Sequence, residues 1–92
     1  MPKLNITQSH TGTAEEAKTK LDTLAKELSD KYGLTSKWTS DTEAKVERTG
    51  ATGTITIEPK QVNVFLDLSF ALTPIKGKVE EKIKEELKKL FA

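Results

Sequence analysis

Hydrophobic and polar positions alternate along much of this chain, and the alternation predicts five strands. A short first strand lies near residues 4–6, and four more lie between residues 34 and 70. The connections between those four are short, so consecutive strands are expected to be antiparallel. The residues assigned to the buried side are Leu4, Ile6, Leu34, Ser36, Trp38, Ala44, Val46, Ile55, Ile57, Val62, Val64, Leu66, Leu68 and Phe70.

Turn-forming residues separate the four later strands. Asp41 lies between the second and third strands, where an Asx-type hydrogen bond is expected to turn the chain. Gly50 and Gly53, in the sequence TGATG, are expected to adopt positive φ in the next turn. Pro59 is expected to preset the first corner of the last turn.

Two other segments repeat their apolar residues every three to four positions, which is the period of an amphipathic helix. In the first, Thr13 and Glu16 have the spacing of a capping box, and Gly33 suits the left-handed residue that follows a helix. In the second, Thr73 is a candidate N-cap, with Pro74 at the first helical position.

Gly77 falls in the first turn of the second predicted helix, where glycine costs about 1 kcal/mol relative to alanine. Two explanations are open: a close approach to neighbouring backbone, or a helix that begins later. The apolar stripe of this helix is expected to complete the core and consists of Ile75, Val79, Ile83, Leu87, Leu90 and Phe91.

The element order is strand, helix, four strands, helix, which predicts a single two-layer α+β domain over residues 1–92. Both helices are expected to cover one face of a five-stranded, mostly antiparallel sheet, and the opposite face is polar. Phe65 is the exception on that polar face and is a candidate contact or dimer residue.

A long terminal helix across an antiparallel sheet resembles helix-grip folds, in which a ligand can lie between the helix and the sheet. A cavity of this kind would be lined by Trp38, Phe70 and Val79, with Ile83 one turn further along the helix. The alternative is that these side chains fill the space as ordinary core.

Composition argues against several classes of function. The chain has 15 Lys and Arg against 14 Asp and Glu, so no strong overall field would hold it on nucleic acid. It has no cysteine, which excludes disulfides and thiolate metal sites. No apolar run is long enough for a signal peptide or a membrane span, and a cytoplasmic protein is expected.

Few residues could support catalysis. His10 is the only histidine and is expected to be a surface or helix-start residue in the loop before the first helix. Asp41 and Glu43 form a carboxylate pair, although a turn role for Asp41 is favoured. The serines and glycines match no nucleophile or phosphate-loop pattern. We therefore expect no enzymatic activity, no metal site and no cofactor.

Several pieces spread over nearly the whole chain form a recognisable series. They are His10, Glu16-Ala17, YGLTSKW with Trp38, Asp41, Gly50 and Gly53 in RTGATG, and VFLDLSFALTPIKGKVEEKI with Gly77. In the order and approximate spacing of these pieces the chain resembles the polyhydroxyalkanoic acid system family, small bacterial proteins linked with polyhydroxyalkanoate storage granules. The segment TEAKVERTG is more polar than the corresponding strand of that family.

The resemblance implies a non-enzymatic accessory or regulatory protein that binds the granule or a granule protein, as a monomer or weak dimer. No catalytic set comes with the family. One possible mode of contact is that the terminal helix detaches and lays its apolar stripe on the polymer surface, although the core needs the same stripe. The alternative function is a small-molecule binder that holds an acyl-type ligand between the sheet and the terminal helix.

Overall fold

A computed structural model describes residues 3–91, except for the side chains of Phe70 and Ala71. The predicted role of Phe70 in lining a cavity therefore lies outside the described residues. The elements in chain order are β1 (Lys3–Ser9), α1 (Ala14–Tyr32), β2 (Thr35–Trp38), β3 (Glu43–Arg48), β4 (Ala51–Ile57), β5 (Gln61–Leu68), a 3-10 segment (Phe70–Ile75) and α2 (Lys76–Phe91).

The five strands form one sheet in the order β1-β5-β4-β3-β2, and every neighbouring pair is antiparallel. Strands β2 to β5 follow one another as hairpins, whereas β1 pairs with the distant β5 and places Leu4 opposite Leu66. The predicted α+β fold with a five-stranded antiparallel sheet is confirmed.

Both helices lie on the same face of the sheet, because their buried residues belong to one core. Helix α2 packs on β1, and α1 packs on β2 and β4. The inward side chains of the strands meet the apolar stripes of the helices in one core. The fully buried members with the largest side chains are Leu4, Leu21, Leu24, Leu28, Leu34, Ile55, Leu66, Leu68, Ile83, Leu87, Val46 and Val62. The opposite face of the sheet is left without a covering layer in the described part of the chain.

The ends of α1 follow the sequence prediction. The Thr13 hydroxyl accepts a hydrogen bond from the Glu16 backbone N–H at 3.1 Å, which satisfies one of the free donors of the first turn. Gly33 ends the helix with φ of 70°, a conformation that glycine adopts without a Cβ clash. The predicted capping of this helix is confirmed at both ends.

The terminal helix begins two residues after the predicted first position, Pro74. Thr73 and Pro74 belong to the 3-10 segment, and α2 begins at Lys76. The Lys76 N–H bonds to the Thr73 carbonyl, three residues back, so the chain is still in the tighter turn there. A Cβ on Gly77 would have no neighbour within 4 Å, which rules out a close backbone approach and supports the later helix start.

Only one of the two turn glycines adopts positive φ. Gly50 has φ of 85°, as predicted, but Gly53 lies inside β4 with an ordinary strand conformation. Gly53 faces the core between Val46 and Leu66, and a Cβ there would collide with the Phe65 carbonyl oxygen and the Leu66 side chain. Its function in the fold is therefore to admit a close neighbour, not to turn the chain.

Candidate functional site

His10 is buried, with 6% of its surface exposed, so the predicted surface position was wrong. Its backbone N–H donates to the Lys60 carbonyl at 3.0 Å, and its ring Nε2 lies 2.6 Å from the Glu58 carbonyl oxygen. Both partners belong to the connection between β4 and β5. Because β1 pairs with β5, the end of β1 meets this connection, and the histidine is fixed against it.

The hydrogen bond to Glu58 determines which nitrogen of His10 carries the proton. A carbonyl oxygen can only accept, so Nε2 must be the donor. In the neutral ring the other nitrogen, Nδ1, is then an acceptor, and it is buried with no hydrogen-bond partner among the described residues. Leaving a buried polar group without a hydrogen bond costs about 1–3 kcal/mol of stability, so Nδ1 is an unsatisfied acceptor of the neutral ring.

The His10 ring lines a cavity of about 290 Å³, which we call the His10 cavity. Three parts of the chain meet there: the residues after β1, the first turns of α1 and the last residue of α2. The Phe91 ring packs 5.9 Å from the His10 ring, centroid to centroid, and the Lys20 ammonium lies 5.3 Å from the Phe91 centroid. The lining residues are His10, Thr11, Gly12, Glu16, Ala17, Lys20 and Phe91.

The His10 cavity contains one acidic and one basic side chain. Glu16 is directed back toward the helix start, where the Thr13 hydroxyl lies 3.4 Å from its Oε1. Lys20 lies one turn further along α1. The first turn of a helix favours negative charge, since its backbone N–H groups point outward. The Glu16 carboxylate already occupies this helix start, where a Cβ on Gly12 would lie 3.0 Å from its Oε2. The rest of the cavity wall is formed by the Lys20 side chain, the Phe91 ring and His10.

Trp38 and Asp41 come together at a second location, beside the first half of α1. The Trp38 indole N–H donates to Asp22 Oδ1 at 2.6 Å, and the Lys18 ammonium lies 5.1 Å from the Trp38 ring. The same ammonium lies 4.0 Å from the carboxylate of Asp41, which is fully exposed. An open cavity of about 570 Å³ adjoins this group.

The predicted Asx-type hydrogen bond of Asp41 is not formed. The turn between β2 and β3 is instead closed by Ser40, whose Oγ accepts from the Thr42 N–H at 3.2 Å. The Asp41 side chain points into solvent and reaches only Lys18. An exposed pair of this kind contributes little to stability, so the group at Trp38 gives no sign of a built binding site.

Phe65 lies on the uncovered side of the sheet, which we call the open sheet face. It is half-buried and pairs in register with Asn5 of β1 and Thr54 of β4. A shallow depression of about 270 Å³ lies beside it. The open sheet face consists of Asn5, Thr7, Lys45, Glu47, Thr52, Thr54, Asn63, Phe65 and Asp67.

Val79 and Ile83 lie in the core, with 2% and 0% of their surface exposed. Together with Leu87 they fill the space between α2 and the sheet, where a helix-grip ligand would have to lie. In this conformation neither side chain can contact a ligand or a foreign surface. A binding role for them would require α2 to separate from the sheet.

An ion-pair group joins the two helices. The Lys82 ammonium lies 3.0 Å from Glu86 one turn away and 3.6 Å from Glu27 on α1. The hydrogen bond from Lys82 lowers the pKa of Glu86, and the bond to Glu86 raises the pKa of Lys82. This group fixes the position of α2 against α1 and has no cavity of its own.

In residues 3–91, no three His, Cys, Asp or Glu side chains are grouped so that they could hold a metal ion. Within the same range, no helix is both long enough and apolar enough to span a membrane.

Comparison with known proteins gives the family. A search of curated proteins and a search of solved structures returned no significant match. A family model described as "Putative polyhydroxyalkanoic acid system protein" matches residues 4–91, which is almost the entire chain. The match includes the strands, both helices and the His10 cavity. The chain therefore belongs to the polyhydroxyalkanoic acid system protein family.

Proposed function

We propose that this protein is a non-enzymatic accessory or regulatory protein of polyhydroxyalkanoate storage, which binds the granule or a granule protein in the cytoplasm. The observation that carries the proposal is the family match over residues 4–91. The small number of candidate catalytic groups supports a binding role. His10 is the only histidine, and its Nε2 is occupied by a backbone carbonyl.

The open sheet face is the contact surface that we propose. Its central strands present hydroxyl and amide side chains such as Thr52, Thr54 and Asn63, with Phe65 among them. A polyester surface offers ester oxygens that accept hydrogen bonds, together with alkyl groups. Threonine and asparagine can donate to the former, and a phenyl ring packs on the latter.

Contact through a detached α2 is less favoured by the packing. Val79, Ile83 and Leu87 are all buried in the core, so lifting the helix would expose them together with the strand residues beneath. Each such side chain is worth about 1.5–3 kcal/mol when fully buried. A folded domain of this size has only about 5–14 kcal/mol of stability in total. The open sheet face needs no such rearrangement.

Co-sedimentation with granules tests the proposal. Purified protein is mixed with native polyhydroxyalkanoate granules and with granules stripped of their proteins. Phe65→Ser is expected to weaken binding about tenfold, because a central aromatic residue commonly dominates a contact. Tyr32→Ser is the matched control, since Tyr32 is also a half-buried aromatic residue but lies at the end of α1.

The outcomes distinguish the two kinds of partner. Binding to stripped granules indicates direct contact with the polymer, and binding to native granules alone indicates a granule protein. Absence from both fractions would overturn the proposed granule contact. Equal loss in Phe65→Ser and Tyr32→Ser would overturn the assignment to the open sheet face.

A further inference from the structure

We propose that β1 pairs with the β1 of a second copy of this chain, so that two five-stranded sheets join into one continuous sheet. In the part of the chain that the structure describes, β1 and β2 are the two edge strands. The proposal concerns the outer side of β1, which we call the free edge. It uses main-chain groups that the granule contact does not need, so the two proposals stand independently.

The ladder between β1 and β5 determines which main-chain groups of β1 point outward. The His10 N–H donates to the Lys60 carbonyl at 3.0 Å, in the register that joins the two strands. Hydrogen-bonded pairs alternate along an antiparallel ladder, so the even-numbered residues of β1 bond to β5. The odd-numbered residues direct their N–H and C=O groups outward, and all of them are exposed: Lys3, Asn5, Thr7 and Ser9.

A second copy related by a two-fold axis complements this edge. With Ile6 at the axis, the antiparallel register sets Asn5 opposite Thr7 of the second copy. It likewise sets Lys3 opposite Ser9, so every outward residue lies in a hydrogen-bonded pair. Asn5 and Thr7 can also bond through their side chains on the open sheet face. No like charges face each other, because Lys3 is the only charged residue of the strand.

The other edge of the sheet does not have these properties. Strand β2 has four residues, and the Thr39 N–H donates to the Glu43 carbonyl just beyond it. By the same alternation, only Ser36 and Trp38 direct main-chain groups outward. Pairing these two about a two-fold axis would place Lys37 opposite its own counterpart, which is destabilising. A short strand with a central lysine is a protected edge, whereas β1 has no central charge and no proline.

The helix layer is compatible with the same axis. Helix α2 packs on β1, so the two copies of α2 lie beside each other. Lys82 faces α1, where it pairs with Glu27. Glu80 and Lys84 are each two positions from Lys82, which at about 100° per residue places them on the side away from α1. They carry opposite charges 4.0 Å apart, so the middle of this side can meet its own copy without net repulsion.

A contact built on seven-residue strands is small, and the dimer is expected to be weak. Stable interfaces commonly bury about 1,200–2,000 Å², and a smaller contact corresponds to a Kd on the order of 100 μM. The axis is perpendicular to the sheet, so the open sheet faces of both copies point to the same side. The dimer therefore presents two copies of Phe65 in one direction, and only the use of this pair on a granule rests on the proposed function.

Cysteine cross-linking tests the register, because the chain contains no cysteine of its own. Asn5→Cys and Thr7→Cys proteins are mixed in a glutathione redox buffer. Cα atoms of a hydrogen-bonded pair are about 5.5 Å apart, within the disulfide range of about 4.4–6.8 Å. Two copies of position 5, or of position 7, would be more than about 8 Å apart. The mixed disulfide should therefore exceed either single-variant disulfide about tenfold by mass spectrometry.

Sedimentation equilibrium measures the affinity. Thr7→Pro removes an outward N–H, at a position where an edge strand tolerates proline. It is expected to weaken the dimer about tenfold or more, because the axis repeats the loss and two main-chain hydrogen bonds disappear. Ser36→Pro removes an outward N–H from β2 and is the matched control. It should dimerise like the wild type.

Three results would overturn the proposal. They are a wild-type protein that stays monomeric at ten times the expected Kd, a statistical mixture of the three disulfides, and equal cross-linking at the other edge. Thr35→Cys mixed with Thr39→Cys tests that edge, since both positions are exposed there. Wild-type sedimentation gives the answer even where a variant does not fold. These experiments contain no granules, so their failure is distinguishable from failure of co-sedimentation.

Discussion

At the scale of single residues, replacing glycine by alanine is expected to change stability in opposite directions at two positions. We expect Gly53→Ala to destabilise the fold by about 1–3 kcal/mol, because the added methyl group would collide with the Phe65 carbonyl oxygen and the Leu66 side chain. Gly77→Ala is the matched control. Its Cβ would meet nothing within 4 Å, and it is expected to stabilise α2 by up to about 1 kcal/mol.

Urea denaturation of both variants measures this difference. The midpoint for Gly53→Ala should fall, and the midpoint for Gly77→Ala should stay or rise, with unchanged slopes. An unchanged or raised midpoint for Gly53→Ala would show that the tight packing at Gly53 relaxes without cost.

Residue roles were the least predictable part of the sequence. The buried state of His10 could not be deduced from its neighbours, because its ring partner Glu58 is 48 positions away and only the register of β1 with β5 brings them together. Lys20 and Phe91 were missed as site residues for the same reason. The one available signal was the position of Phe91 at the end of an apolar stripe.

At the scale of elements, unambiguous local patterns were sufficient to predict a strand or a helix and its buried face. The alternation of β5 and the capping residues of α1 predicted the strand and the helix with their correct faces. The start of α2 was not predicted correctly, because Pro74 fits both the first turn of an α-helix and a 3-10 turn. The choice between them depends on how the chain leaves β5, which no local pattern specifies.

The contact between the two helices should depend on pH. Glu86 has a lowered pKa in the folded protein, because Lys82 donates a hydrogen bond to it. Its stabilising contribution is therefore present above the ordinary carboxyl pKa of 4.5 and is lost as the pH falls through the lower folded value. Glu86→Gln should be less stable than the wild type at pH 7, and the difference should shrink toward pH 3.

Thermal unfolding of Glu86→Gln and Glu85→Gln between pH 3 and pH 7 measures this contribution. Glu85 is the control, because its pair with Lys89 spans 3.4 Å on an exposed surface, with both side chains at least 60% exposed. Such pairs are screened and contribute little. A pH-independent difference for Glu86→Gln would mean that its pairing with Lys82 does not stabilise the fold.

At the scale of the whole molecule, the first strand and the last helix complete a fold whose middle is a series of hairpins. Strand β1 pairs with β5, more than half the length of the chain away, and α2 then packs on β1. The same closure forms the His10 cavity, since it brings Phe91 to His10. The core, the closure of the sheet and the His10 cavity therefore depend on α2 remaining in place.

This dependence leads to a test of whether α2 can leave the sheet. Val79→Asp would place a carboxylate in the core, where Val79 is 2% exposed, and an unpaired buried charge costs several kcal/mol. We expect loss of cooperative unfolding, or a midpoint too low to measure, by circular dichroism. Lys78→Asp, at an exposed neighbouring position, should remain folded. A cooperatively folded Val79→Asp would instead show that the fold does not depend on α2 packing through Val79, and this would favour contact of the helix's apolar stripe with the granule.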